Sequence, residues 1–348
     1  MSTSPANTTP PARSHPAECA APRALAFWRA QVRAAADEGV LTHARQALLL
    51  AARQGAPAAD LASLAVALHE PLMQHGQMRT WAHDLQRLFA ARPDVPAAHP
   101  ALWEQALSAW TAAGQWSQAQ RLLQSWPAAA GPRPWAIARR LYRQGALLWM
   151  QGRWAAALRL AQQAWRLART APNEQRVAIA SLLVLATWRL GRRKHARRWG
   201  RRGLALCPPD AGLWRGRLHH YLFLVTWPTA PHRAQQHLRV AQEQLRAAGG
   251  YLQLAHLLAD STDLYLALGR HDQAEEALAQ AYALWRQSED PAGLADYYRH
   301  AAIVSHALGQ RALARDYAAH AAERWAALGV TREVRRCQRL LQRWRTAA

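Results

Sequence analysis

The 348-residue sequence predicts an all-α fold, a solenoid of about eight helix–turn–helix repeats finished by a C-terminal capping helix. Three observations carry this expectation. A fragment with Gly first, a bulky residue two places on and Ala five places on recurs along the chain. Apolar residues on either side of it follow a 4-then-3 spacing. Proline and glycine clusters fall between the units.

The fragment opens at Gly39, Gly76, Gly114, Gly152, Gly191, Gly269 and Gly309. The step from 191 to 269 is double the others, and the missing member falls at Thr229. With Thr229 included, successive steps are 37, 38, 38, 39, 38, 40 and 40 residues. The alanine five places on is Ala44, Ala119, Ala157, Ala196, Ala234, Ala274 and Ala314, with Trp81 in the second unit. Downstream, Leu123 and Trp126, Ala161 and Ala164, and Leu278 and Ala281 continue an apolar stripe along one helix. Upstream, Trp103, Leu107 and Trp110, and again Leu141, Gly145 and Leu148, mark the helix before the turn. Glycine suits that turn because a residue without Cβ tolerates positive φ, and the small alanine lets neighbouring helices approach. Pro93 and Pro96, Pro127 with Gly131 and Pro132, Pro172, Pro208 and Pro209, and Asp290 with Pro291 separate the units. Residues 1–22, rich in Pro, Ser, Thr and Ala, read as a disordered tail ahead of a repeat domain over 23–330. Residues 331–348 read as the cap, with Val334, Cys337, Leu340, Leu341 and Trp344 on one face. Arg335, Arg336, Arg339 and Arg343 lie off that face.

This register resembles the tetratricopeptide repeat family. The family's Trp, Gly, Tyr, Ala and Phe positions are echoed by Trp103, Trp110, Gly114, Trp116, Ala119 and Leu123. The next unit echoes them with Gly145, Gly152, Trp154, Ala157 and Ala164, and the resemblance covers residues 24–330. A period longer than the family's, which is about 34, implies longer helices or connections. Long, divergent repeats of this kind look like those in the sensor domains of bacterial transcription activators of the maltose-activator type. The resemblance implies a right-handed solenoid whose first helix in each unit lines a concave groove. Carried onto this chain, groove positions include Arg139, Tyr142 and Trp149, then Trp188 and Arg189, then Phe223 and Trp227. Aromatics with scattered Arg suit stacking on bases, holding an apolar and acidic peptide, or simple helix packing. The Asn and Lys clamp that some family members close on a C-terminal carboxylate is missing.

Charge supplies a second candidate surface. The chain carries 44 Lys+Arg against 22 Asp+Glu, a net +22, and Lys194 is the one lysine. With 51% hydrophobic residues it is no disordered polycation. Residues 133–246 hold 21 Arg and Lys194 against Glu174, Asp210 and Glu243, a net +19, whereas residues 247–330 are net −4. The densest run is Arg192, Arg193, Lys194, Arg197, Arg198, Arg201 and Arg202. Its interleaved Ala196, Trp199, Gly200 and Gly203 mark a packed side, which turns the cations to solvent. Such a run reads either as the footprint of an anionic partner or as a solvated face.

Residues for catalysis are poorly arranged. The adjacent His219 and His220 point to different helix faces, and His300, His306 and His320 are scattered. Asp260 and Asp263 share a face that reads as solvated or Arg-paired. Cys19, Cys207 and Cys337 are too few and too distant for a disulfide framework or a zinc module. No phosphate-cradling loop or nucleophile elbow occurs, so no metal, cofactor or catalytic residue is expected. No apolar run approaches the roughly 20 residues of a membrane helix, and the N-terminus lacks a secretory core. The expectation is a cytoplasmic, non-catalytic scaffold or sensor that binds an acidic protein segment in a regulatory or assembly role. A nucleic-acid-binding solenoid is the alternative, and the oligomeric state stays open.

Overall fold

The computed structural model describes residues 20–125, 134–288 and 290–346. The tail up to residue 19 with Cys19, and also Trp126, Pro127, Gly131 and Pro132, lie outside the described residues. Among the described residues there are eighteen α-helices and no strand. They alternate as hairpins: α1 (Ala20–Ala34) with α2 (Glu38–Arg53), and α3 (Ala58–Gln74) with α4 (Met78–Ala91). A short α5 (Val95–Ala98) precedes α6 (Pro100–Ala112) and α7 (Trp116–Gln124). Then come α8 (Pro134–Met150) and α9 (Trp154–Leu167), α10 (Asn173–Arg189) and α11 (Arg193–Leu206), and α12 (Gly212–Thr226) and α13 (Pro231–Ala247). The last pairs are α14 (Tyr251–Ala267) with α15 (His271–Gln287) and α16 (Pro291–Ala307) with α17 (Arg311–Ala327). The chain ends in α18 (Thr331–Thr346). Helix α1 thus starts inside the stretch that composition assigns to the tail.

Six of the seven repeat glycines sit at the hairpin turns with positive φ, among them Gly191 at 77°. There the Gly191 N–H donates to the Trp188 carbonyl and the Arg192 N–H to the Thr187 carbonyl, each at 2.8 Å. This paired closure satisfies carbonyls that the end of α10 would otherwise leave open. Gly39 is the exception. It lies in the first turn of α2, and the first hairpin is made instead by Asp37, whose Oδ1 accepts the Val40 N–H at 2.9 Å as an N-cap. Thr229 closes its turn differently. The Thr229 and Ala230 N–H groups both reach the Thr226 carbonyl, and Pro231 opens α13 at a position where its missing N–H costs nothing.

The alanine of the repeat is buried throughout, with 0% exposure at Ala44, Ala119, Ala157, Ala196, Ala234, Ala274 and Ala314. Of the described residues, one compact unit takes those up to Leu72 and His83–Gln105, and a second takes Met73–Ala82 and everything from Ala106 on. The first is a leucine core of Leu25, Leu41, Leu48, Leu61, Leu64 and Leu68. Arg45 donates to the buried Asp84 at 2.6 Å and ties its helices together. In the second unit the first helices of successive hairpins approach one another directly, α8 to α10, α10 to α12, α12 to α14 and α14 to α16. The second helices pack on their own partner and on the next first helix, which places them in an outer layer. Within the second unit, turns far apart in the sequence come together. A Cβ at Gly76 would run into the Gln287 backbone, and one at Gly152 would meet Val330 and Arg332 at 3.6 Å.

Candidate binding surfaces

The basic run builds the outward side of α11. Arg192, Arg193, Lys194, Arg198, Arg201 and Arg202 are exposed and Arg197 is half-buried, while Ala196, Gly200 and Gly203 are buried. The glycines exist for contact: a Cβ at Gly200 would stand 2.6 Å from Leu222, and one at Gly203 2.9 Å from Leu218, so α11 lies close on α12. None of the seven cations is ion-paired to a carboxylate among the described residues. The N-cap and first turn of α11 together have no acid and three cations, Arg192, Arg193 and Lys194, the wrong sign for the positive end of a helix dipole. Arg202 lies over Trp165 at 4.9 Å and Trp199 at 5.7 Å, and Arg176 lies over Trp165 at 5.6 Å. The two indoles meet edge-on with centroids 5.0 Å apart.

The predicted groove residues separate into two kinds. Arg139 is exposed, and Tyr142, Trp149, Trp188, Arg189 and Trp227 are half-buried, each with surface left to offer. Phe223 is a correction: it has 0% exposure and packs with Val184, Leu254 and Leu258, so it holds α12 in the core and faces no ligand. Position ten or six before the turn points inward only if the neighbouring helix leaves room, and α12 is buried nearly all round.

A polar cluster on the first helices of the last three hairpins joins residues that the sequence leaves scattered or solvated. Asp260 on α14 accepts from His220 Nε2 on α12 at 2.9 Å, and its other oxygen is 3.7 Å from His300 Nε2 on α16. Asp260 therefore pairs with histidines, not with arginine or solvent. The Thr262 hydroxyl spends its hydrogen on the Ala259 carbonyl at 2.7 Å, so the His300 Nδ1–H must donate to Thr262 Oγ1 at 3.0 Å. That leaves His300 neutral with Nε2 accepting from Arg299 Nη2 at 2.5 Å. Arg299, 2% exposed, also binds Asp296 Oδ1 at 2.6 Å. Burial would raise the Asp260 carboxyl, but the hydrogen bond and charge of His220, with His300, hold it below the usual range. Burial likewise would raise Asp296, and Arg299, His300 and His256 outweigh it. From α18, Glu333 is buried and Arg336, which the sequence puts on the polar back of the cap, turns half inward to pair with it at 3.5 Å.

Asp260, Asp296 and His300 bring donor atoms within 4.8 Å of one another, the spacing of a metal site. Arg299 already places a cation against both His300 and Asp296, so the group acts as an ion-pair network joining three helices. The repeat register holds a signal for it. His220, Asp260 and His300 each lie nine residues before the turn position of their unit, Thr229, Gly269 and Gly309, so they hold equivalent places on successive first helices.

No protein-family model matches the chain, and no curated protein matches it in sequence. Solved structures match it in fold. A Rap protein complexed with Competence and Sporulation Factor is 12% identical with a TM-score of 0.51, over 95% of this chain and 98% of that one. The Cut9–Hcn1 hetero-tetramer of the APC/C gives 12% identity and a TM-score of 0.52, over 81% of this chain and 55% of that one. A tetratricopeptide repeat protein from Parabacteroides merdae is 14% identical with a TM-score of 0.45, over 81% and 97% of the two chains. No helix among the described residues is long and apolar enough to cross a membrane. By fold, this chain is a tetratricopeptide-like helical-repeat solenoid.

Proposed function

We propose that this chain is a non-catalytic, protein-binding solenoid that recruits an acidic segment of its partner in a regulatory or assembly role. The carrying observation is the row of unpaired cations on α11. Arg193, Arg197 and Arg201 form one stripe at i, i+4 and i+8, and Lys194, Arg198 and Arg202 form the next. Like charges so close repel one another, and three of them oppose the helix dipole, so the face is stabilised by an anion laid along it. A run of acidic side chains supplies several such charges at once, through charge-assisted hydrogen bonds to guanidinium. Changing Arg193, Arg197 and Arg201 to Glu reverses the stripe without touching the buried side of α11. The expected outcome is loss of binding to an acidic peptide by 100-fold or more, on the order of 3 kcal/mol, with helicity unchanged by circular dichroism. Retained binding would place the partner elsewhere.

The nucleic-acid reading draws on Trp165 and Trp199 beside the same cations, since indoles and guanidinium groups together form a platform for bases. A salt titration separates the two. Neutralising about six phosphates would give a log–log slope of about −4 to −5 against generic single- or double-stranded nucleic acid. Absence of binding at low salt removes this alternative.

A further inference from the structure

We propose that Arg189, Arg332 and Arg336 form an oxyanion-binding site at the junction of the fourth hairpin, the end of α10 and the C-terminal helix. The place is separate from the basic face of α11. Its floor is Trp154, the first residue of α9, which is 8% exposed. The Arg332 guanidinium carbon lies 3.7 Å from the Trp154 ring centroid, and that of Arg189 lies 5.2 Å from the same ring and 4.6 Å from Trp188. Two cations thus share one indole. Neither has a hydrogen bond or an ion pair to a carboxylate among the described residues. Arg336 follows Arg332 by one helical turn on α18, and its partner Glu333 is held loosely at 3.5 Å.

The unmet hydrogen-bonding groups here are donors. Arg189 Nε is buried without a partner, and so are Trp149 Nε1 on α8 and Nη1 of Arg299 on α16. Trp149 belongs to the same hairpin, three residues before Gly152, whose turn meets Arg332 and Val330. Buried N–H groups without acceptors are uncommon in native folds and costly to leave unmade. The charged form of Arg336 is disfavoured by Arg299, by burial and by Arg189, in that order, which shows how closely the guanidinium groups crowd. Two guanidinium groups on one indole with a third a helical turn away, and an unmet Nε–H on Arg189 itself, call for a group that is all acceptor and carries negative charge. A phosphate or a carboxylate answers this, since its oxygens take paired N–H bonds from guanidinium in the plane of the fork. Half-buried Arg189 and Arg336 and exposed Arg332 leave the site open to solvent.

The test is thermal unfolding and tryptophan emission of the whole chain in inorganic phosphate against chloride at matched ionic strength. Phosphate should raise the melting temperature of the wild type and shift the emission. The Arg332→Gln variant alters an exposed residue and keeps the fold, and it should weaken the apparent phosphate affinity about tenfold. Arg336→Gln should do the same; because it also removes the partner of buried Glu333, its phosphate response is read against its own melting temperature in chloride. A second arm adds a glutamate-rich peptide. Competition with phosphate assigns the oxyanion to a protein ligand, and phosphate binding without competition assigns it to a small phosphorylated molecule. Indifference of the wild type to both probes overturns the proposal, and so does a full phosphate response in both variants. The α11 charge reversal, measured in parallel, fails or succeeds on the acidic peptide alone, so the two readings fall separately.

Discussion

Gly76 and Gly191 hold the same place in the repeat, yet they carry different constraints. Both adopt positive φ, 73° and 77°, which costs an L-residue about 1–2 kcal/mol. Around Gly191 nothing lies within 4 Å of a built Cβ. At Gly76 that Cβ would lie 1.8 Å from the Gln287 carbonyl oxygen and 2.8 Å from Ser288 Cα, so the backbone itself would have to move. Gly191→Ala should therefore destabilise by about 1–2 kcal/mol, and Gly76→Ala by more than about 4 kcal/mol. Urea denaturation of the two variants checks this, and equal costs would mean that the approach of Gln287 is not made in solution. The shared glycine was readable because its turn is local, a matter of five or six consecutive residues. The neighbour more than two hundred residues away left no mark on the motif. Gly39 shows the converse, for a glycine in register with the others does no turn chemistry when Asp37 supplies an N-cap two residues earlier.

At the scale of elements, helices α12, α13, α14 and α16 meet through histidines, and their titration couples packing to pH. His219 on α12 and His237 on α13 bring Nδ1 atoms to 3.1 Å, so one donates and the other must accept. Burial, then His237 and Arg215, push His219 down to about 4, and burial with Arg201 lowers His237. His300 is lowered by burial and by Arg299. His256 is the opposing case, since burial would lower it but its hydrogen bond to Asp290 and the charges of Asp290, Asp296 and Asp260 raise it. The signs follow from linkage. Below the unfolded value of about 6.5, an unfolded chain takes up protons that the folded His219, His237 and His300 refuse, so stability falls with pH. His256 gives stability that is full below about 6.5 and is lost as pH rises through its raised value. Below about pH 6.5 the His256 contribution is already complete, so the three lowered groups set the slope and predict a net loss on acidification down to the value near 4 at which His219 titrates. Urea midpoints across that range measure it, and His219→Gln should flatten the slope. A midpoint that rises on acidification over that range would show that burial does not hold these three histidines neutral in the folded protein. Adjacent His219 and His220 do face differently, as helix geometry requires, but their partners come from α13 and α14. Such partners are named by the register between repeats, not by spacing within one.

For the whole molecule, the repeat period, the hairpins and the cap were legible, because each rests on local turn and stripe chemistry. The meeting of α18 with the fourth hairpin was not. It depends on the small rotation from one repeat to the next, summed over five repeats, and on no single residue. Net charge acts at this scale too. The chain carries +22, with +19 between residues 133 and 246, and ten acids against six Arg between 247 and 330 relieve it only in part. Self-repulsion of that kind opposes the compact state and is screened by salt. Raising sodium chloride from about 10 mM to about 100 mM shortens the Debye length from about 30 Å to about 10 Å. The free protein should then melt at higher temperature. Exposed ion pairs such as Arg239 with Glu243 at 3.8 Å weaken over the same range, but they are few and each is worth little. The same salt must weaken any complex made through α11, because its attraction is screened as well. Opposite signs, a rising melting temperature and a falling affinity for an acidic peptide in one salt series, are the expected result. A melting temperature that falls with salt would show that attraction between the acidic and basic segments, not repulsion within the basic one, governs the fold.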